Sequence, residues 1–278
     1  MLITAYLIIT IIIAIIFTLT CPPQALLPNL PRPSELKPYP SLLVVRYEGH
    51  SAAIHSLTPS PDGQWLATAS ADATLRVWEV STGRCMAVIQ LPEAAHCVAW
   101  NPEPSRPLVA VAAGSEVYVL HPRVGTAEGS AAAEEVLLEA SKAAANAAAA
   151  RSGDLSDGAP VTELATWRWD TGLRALVVGH RFAVRHVCWH GRGEYFATVA
   201  PTGNTQAVLV HQLSRGASQC PFRKNKGRVG RVVFHPSKPF FFVATQNHVR
   251  VYNLAKQVRG IEYIRCTQVC SLWVHTRT

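Results

Sequence analysis

The chain has 278 residues, 49% of them hydrophobic and 16% charged, which is enough apolar material for one large or two ordinary globular domains and excludes wholesale disorder. The formal net charge is +8, but Tyr195 to Ile261 holds ten basic residues and no acidic one, leaving sixteen basic against eighteen acidic elsewhere. One region, rather than the whole protein, is therefore built to meet something acidic.

The first twenty residues, MLITAYLIITIIIAIIFTLT, carry no charge and are long enough to cross a bilayer as an apolar helix. Two readings stand side by side. One is a membrane anchor. The other is a mis-assigned start of translation, because eight Ile in the first sixteen residues need AT-rich codons while the rest of the chain leans on GC-rich Ala, Gly, Arg and Pro. A secretory signal fits less well, since there is no positive n-region and Leu19-Thr20-Cys21 is a poor cleavage site. Residues 21–40 contain seven Pro and are expected to run as an extended linker.

Beyond the linker the chain repeats itself. His55-Ser56-Leu57-Thr58 aligns with His96-Cys97-Val98-Ala99, with Arg185-His186-Val187-Cys188 and with Gly230-Arg231-Val232-Val233. After each comes a turn and an apolar run: Trp65 to Ala69, Leu108 to Ala112, Tyr195 to Val199, Phe240 to Ala244. A second turn and an alternating strand follow: Leu75 to Trp78, Val117 to Leu120, Ala207 to His211, Val249 to Tyr252. Short strands at this pace, punctuated by Pro, Gly, Asp and Asn, predict four-stranded antiparallel units, and a period of roughly 40 to 45 residues is that of a propeller blade.

The one long gap, between the second and third units, holds an Ala-rich insertion at 124–160, with eleven Ala in the twenty residues 131–150. Its composition favours helix but offers little bulky apolar stripe beyond Val136, Leu137 and Leu138, so it is expected to be a surface excursion, part helix and part disordered. The seven Cys include no CxxC, and no His cluster completes a zinc site around Cys266 and Cys270. No metal, cofactor or catalytic residue is assigned, and Cys85, Cys97 and Cys188, inside apolar runs, are expected to be reduced and buried.

The first unit looks like a WD repeat: Gly49-His50 opens it, Ser70-Ala71-Asp72-Ala73-Thr74 makes its tight turn, and Trp78-Glu79 stands where such repeats have Trp-Asp. The resemblance implies a buried relay of His50, Ser70, Asp72 and Trp78, with Asp72 accepting from His50 and the Trp78 indole anchored to it. The same residues could be misread as a Ser-His-Asp catalytic set; that hydrolase reading requires an accessible Ser70. Gly179-His180 recurs in the third unit, while the remaining units are degenerate.

More specific strings are Leu30-Pro31-Arg32-Pro33-Ser34-Glu35-Leu36-Lys37-Pro38-Tyr39-Pro40 leading into Tyr47-Glu48-Gly49-His50, Ala99-Trp100-Asn101-Pro102, Trp189-His190-Gly191-Arg192-Gly193-Glu194-Tyr195, Cys220-Pro221-Phe222-Arg223, and Phe234-His235-Pro236-Ser237-Lys238-Pro239. Together they resemble the block-of-proliferation (Bop/Erb) family of WD-repeat ribosome biogenesis proteins, over residues 27 to 257. The resemblance implies an all-β fold, a partial WD-repeat β-propeller at 41–257 with about four blades of a nominal seven, followed by a tail at 258–278 outside the family pattern. Leu42 to Tyr47 would, by analogy, pair with a last blade that is missing.

The implied role is a non-catalytic nucleolar scaffold that joins a pescadillo-type protein and a second WD-repeat protein in maturation of large-subunit precursor rRNA. A membrane-tethered WD-repeat adaptor is the alternative if residues 1–20 are an anchor. Within the basic region, Arg215 to Arg231 carries six positive charges in seventeen residues. Phosphate contact through Arg223, Lys224, Lys226, Arg228 and Arg231, with Phe222 stacking on a base, is one reading. A nuclear or nucleolar address and a merely solvated loop are the others.

Overall fold

Each apolar run between turn residues becomes a strand in the computed structural model, which describes residues 42–125, 127–152, 164–222, 227–246, 248–254 and 263–264. The chain divides into Met1–Val44 and Val45–Thr278. Only 42–44 of the first unit are described, and the architecture below is that of the second. The apolar segment 1–20, the linker 21–40 and nearly all of 258–278 lie outside the described residues. Among the described residues no helix is long and apolar enough to cross a membrane.

Among the described residues the fold is all-β apart from one long helix, and four antiparallel sheets follow one another as blades of an incomplete propeller. The first sheet is β1 (Ile54–Pro59), β2 (Trp65–Ser70), β3 (Thr74–Glu79) and β4 (Cys85–Gln90), paired in that order. The third is β10 (His186–Trp189), β11 (Tyr195–Val199), β12 (Val208–Gln212) and β13 (Ala217–Gln219). The fourth is β14 (Val229–Phe234), β15 (Phe240–Thr245), β16 (Val249–Asn253) and the short β17 (Tyr263–Ile264). Both are meanders.

The second sheet departs from the expected four strands. It contains β5 (Ala95–Trp100), β6 (Val109–Ala113), β7 (Glu116–Leu120), β8 (Thr166–Asp170) and β9 (Ala175–Gly179), in the order β5-β6-β7-β9-β8. β9 takes the outer place beside β7, and β8 folds back beyond it as a fifth strand. The helix α1 (Ala127–Ser152) lies in the chain between β7 and β8. The long gap between the second and third units is thus an elaboration of one blade.

Side chains alternate across each strand, so every sheet has two faces, and the buried ones meet their neighbours in three clusters. Ala67, Ala69, Leu75 and Val77 of the first sheet pack with Val98, Trp100, Val109 and Val111 of the second. The second meets the third through Val119, Leu176, Val178, Val187, Trp189 and Phe196. Val199, Val208, Val232, Phe234 and Phe241 join the third to the fourth.

The helix corrects the expectation of an undocked excursion. Ala133, Leu137, Ala140 and Ala144 are buried, and their spacing of four, three and four residues places them on one face. Three of them enter the cluster of Val119, Leu176, Val178 and Leu213. Alanine docks here because it lets the helix backbone approach closely. At Gly216, in a left-handed turn with φ of 55°, an added Cβ would stand 2.6 Å from Ala144 Cα. Arg174 of the β8–β9 turn pairs with Glu134 on the same helix. The disordered part expected up to residue 160 lies outside the described residues.

One smaller expectation also changes. Cys97 is buried and Cys188 half-buried, but Cys85 is exposed because it opens the outer edge strand β4. Leu42 to Tyr47, expected to lack the blade it would pair with, is in no strand. Instead the Tyr47 hydroxyl donates to Val80 O at 2.9 Å and its ring lies edge-on to Trp78.

Leu137→Ala should destabilise the fold by about 2–4 kcal/mol, as a fully buried leucine truncated in a packed cluster does. Leu138→Ala, at a side chain 41% exposed, should cost less than about 0.5 kcal/mol. Urea denaturation of the two variants compares them; equal effects would mean that α1 is not held by this face.

Candidate functional site: buried relays and a basic sheet

In the first sheet the relay forms around a residue that the sequence pattern does not single out. His50 Nδ1–H donates to Asp72 Oδ2 at 2.9 Å, and His50 Nε2 lies 2.7 Å from the hydroxyl of Thr68. Trp78 Nε1–H donates to that same hydroxyl at 2.8 Å. Thr68 is therefore the hub joining imidazole and indole. Asp72 also accepts from the Thr74 hydroxyl and from the Ser51 and Thr74 amides. Burial pushes its carboxyl up, but these donors and His50 outweigh that and hold it well below the usual carboxylate range.

Ser70 stands apart from the imidazole. Its hydroxyl is placed on the carbonyls of Ala52 and Ala53 and accepts from the Asp72 amide at 3.2 Å. The residue is fully buried. A nucleophile needs a base within hydrogen-bond reach and an open face, and the His50 nitrogens are turned to Asp72 and Thr68 instead. The constellation thus does structural work: it ties the entry segment to the β2–β3 turn.

A second relay occupies the third sheet. His180 and Thr198 each stand 130 positions after His50 and Thr68. His211 sits opposite Phe196 as Trp78 sits opposite Leu66, so it holds the place of the indole. His180 Nδ1–H donates to Val178 O at 3.0 Å, in place of a carboxylate. Thr198 Oγ1 lies 2.9 Å from both His180 Nε2 and His211 Nε2. His211 Nδ1 is 2.8 Å from the Ser218 hydroxyl, which accepts from Trp167 Nε1–H at 2.9 Å. The constant offset in sequence was the available signal. The replacement of Trp by His hid it.

Both imidazoles in this relay are neutral. Burial holds His180 down at about 4, against the partial rescue of its carbonyl partners, and holds His211 well below its ordinary value, with His180 adding to the effect. Each pKa is lower folded than unfolded, so their stabilising contribution is present above the unfolded value near 6.5. It declines as pH falls from there toward about 4, where the unfolded chain binds protons that the folded chain does not. For His180 alone the change amounts to about 3 kcal/mol. Denaturation midpoints should fall steeply between pH 6.5 and 4, and His211→Trp, which restores the indole of the first sheet, should reduce that slope.

The basic region divides unevenly. Arg228 and Arg231 are exposed, at the approach to β14 and within it. Arg223, Lys224 and Lys226 lie outside the described residues. Phe222 is corrected: its ring is 7% exposed and packs on Tyr252 and Phe241, with centroids at 4.3 and 6.2 Å. A ring so enclosed belongs to the core between the third and fourth sheets and does not present a face to a base.

Four antiparallel sheets stacked blade on blade, three of them meanders, with a His-Thr-Trp relay closing the first, define a WD-repeat propeller segment. A WD domain, G-beta repeat profile matches residues 41–79, the stretch that contains that relay. Across most of its length the chain is similar to proteins named for ribosome biogenesis. It is 50% identical over 239 residues to the Ribosome biogenesis protein BOP1 homolog of Chlamydomonas reinhardtii, covering 84% of this chain and 28% of that protein. It is 40% identical over 260 residues to bop1-A of Xenopus laevis, covering 91% and 34%. It is 38% identical over 265 residues to the BOP1 homolog of Aedes aegypti, covering 93% and 29%. The resemblance to the block-of-proliferation family holds across most of this chain, which spans about a third of the length of these relatives.

Proposed function

We propose that the chain acts as a non-catalytic scaffold in ribosome biogenesis, in maturation of large-subunit rRNA and assembly of the pre-60S particle. The observation that carries this reading is identity of 37–50% over 84–93% of the chain to proteins named for that process. In this reading the propeller segment spans 41–257, its partners are a pescadillo-type protein and a second WD-repeat protein, and its location is the nucleolus and nucleoplasm. A stack of rigid sheets suits it, since a WD-repeat fold offers faces and loops to other macromolecules rather than a cleft for chemistry. A tagged chain should accumulate in nucleoli; retention with membranes after alkaline extraction would replace this reading with a membrane-tethered adaptor.

The acid-free region from Tyr195 to Ile261 is the surface proposed to meet precursor rRNA, with Arg223, Lys224, Lys226, Arg228 and Arg231 on phosphates. Each neutralised phosphate releases counterions and so steepens the salt dependence of binding. Lys226→Gln with Arg228→Gln should weaken single-stranded RNA binding for all sequences alike and flatten the log–log salt slope by roughly 0.7 to 0.9 for each side chain withdrawn from a phosphate. An unchanged slope in filter-binding titrations would leave these charges as a solvated loop.

A further inference from the structure

We infer that the bulged inner strands of the four sheets form a binding site for a phosphate monoester. The site does not depend on the ribosomal reading. The inner strands β1, β5, β10 and β14 are each the terminal strand of their sheet, and three of them carry the same irregularity. The register slips between Ile54 and Ser56, between Ala95 and Cys97, and between Val229 and Arg231. In β10 the same two-against-one arrangement arises because His186 is opposite Val199 while the Arg185 amide also donates to Val199 O at 2.8 Å. A bulge re-aims side chains that a regular strand would send to alternate faces.

The residues at these bulges are His55, His96, Arg185 and Gly230, followed by Ser56, Cys97, His186 and Arg231. His55, Ser56, Cys97, His186 and Arg231 line a cavity of about 490 Å³ that extends to Trp100 and Trp189 and has no Asp or Glu among its described lining residues. Arg185 Nη1 stands 2.9 and 2.6 Å from the two ring nitrogens of His96, and His96 stacks on His55 with centroids 5.2 Å apart. His186 Nδ1 is buried with no hydrogen-bond partner among the described residues. Three cationic or protonatable groups, His55, His186 and Arg231, thus line the cavity from three strands with no carboxylate among its described lining residues, and His96 with Arg185 adjoins it through the stack on His55. The thiols add no competing anion: burial pushes Cys97 up and Cys188 up to about 12.

The arrangement selects among anions. A carboxylate is best served by one guanidinium fork in its plane, whereas here Arg185 just before β10 and Arg231 on β14 belong to different sheets, with His186 between them in the chain and His55 and His96 on the inner strands of the two preceding sheets. A phosphate monoester offers three terminal acceptor oxygens and close to two negative charges, so donors from several strands each find an oxygen; a phosphodiester has only two to give. Burial and the neighbouring Arg185 and Arg231 keep His96 and His186 below their ordinary values, His186 at about 4. A bound dianion would reverse that push. The aromatic end at Trp100 and Trp189 leaves room for an apolar or aromatic group beyond the phosphate.

Histidine-ring NMR of the full chain at constant ionic strength tests this, with chloride exchanged for inorganic phosphate and then for phenyl phosphate. Saturable shifts of the His55, His96 and His186 resonances are expected, with phenyl phosphate at least several-fold tighter and perturbing tryptophan fluorescence. Arg185→Gln with Arg231→Gln should abolish them, Arg231→Lys should weaken them less, and Arg84→Gln, at an exposed residue outside the cavity wall, should leave them intact. Shifts that merely follow ionic strength, equal loss in all three variants, or retention in the double variant would overturn the site. So would displacement of phosphate by RNA lacking terminal phosphates at the same phosphate concentration.

Discussion

The structure depends on burying the apolar faces of each sheet against the next. A single four-stranded sheet with Ala67, Ala69, Leu75 and Val77 on one side has no stable existence in water, because such a sheet needs a second layer. Three interfaces supply it, and each fully buried valine, leucine or phenylalanine contributes about 1.5–3 kcal/mol. Hydrogen bonds within the sheets contribute about 1 kcal/mol each net. They fix the register, while the blade-to-blade packing decides that the sheets stack at all.

That constraint explains where polar chemistry is allowed. Groups between or beneath sheets must satisfy one another, and the two relays do so by the same device: a threonine hydroxyl in the second strand, Thr68 or Thr198, between a histidine and the residue on the third strand. In the first sheet the histidine ends on Asp72. In the third it ends on a backbone carbonyl, and the smaller imidazole of His211 needs Ser218 to reach the indole of Trp167. Trp167 lies on β8, the added fifth strand of the second sheet, so the insertion that lengthens one blade also completes the hydrogen bonding of the next.

Strand positions were legible in the sequence because alternation and turn residues are local. Trp65 to Ala69 and Val249 to Tyr252, for example, differ from the observed strands by a residue at most. The relay pair His50 and Asp72 was legible only through the resemblance to a WD repeat. Thr68 was not, since a threonine in an apolar strand looks like any β-former. Docking of α1 was missed because a stripe of Ala133, Ala140 and Ala144 has little hydrophobic bulk, and its contact at Gly216 is made in space and not in sequence. Phe222 was misjudged for the converse reason: charged neighbours gave no hint that its ring turns inward to Tyr252.

The relay of the third sheet also has a direction. With both imidazoles neutral and Val178 O fixed as terminal acceptor, the protons can be ordered in one sense: Trp167 to Ser218, Ser218 to His211, His211 to Thr198, Thr198 to His180, His180 to Val178. His211 is held as the Nε2–H tautomer and His180 as the Nδ1–H tautomer. Reversal would strand the indole and the carbonyl without complements, so the chain is a one-way polar wire whose dipoles add, frozen across the seam between two neighbouring blades.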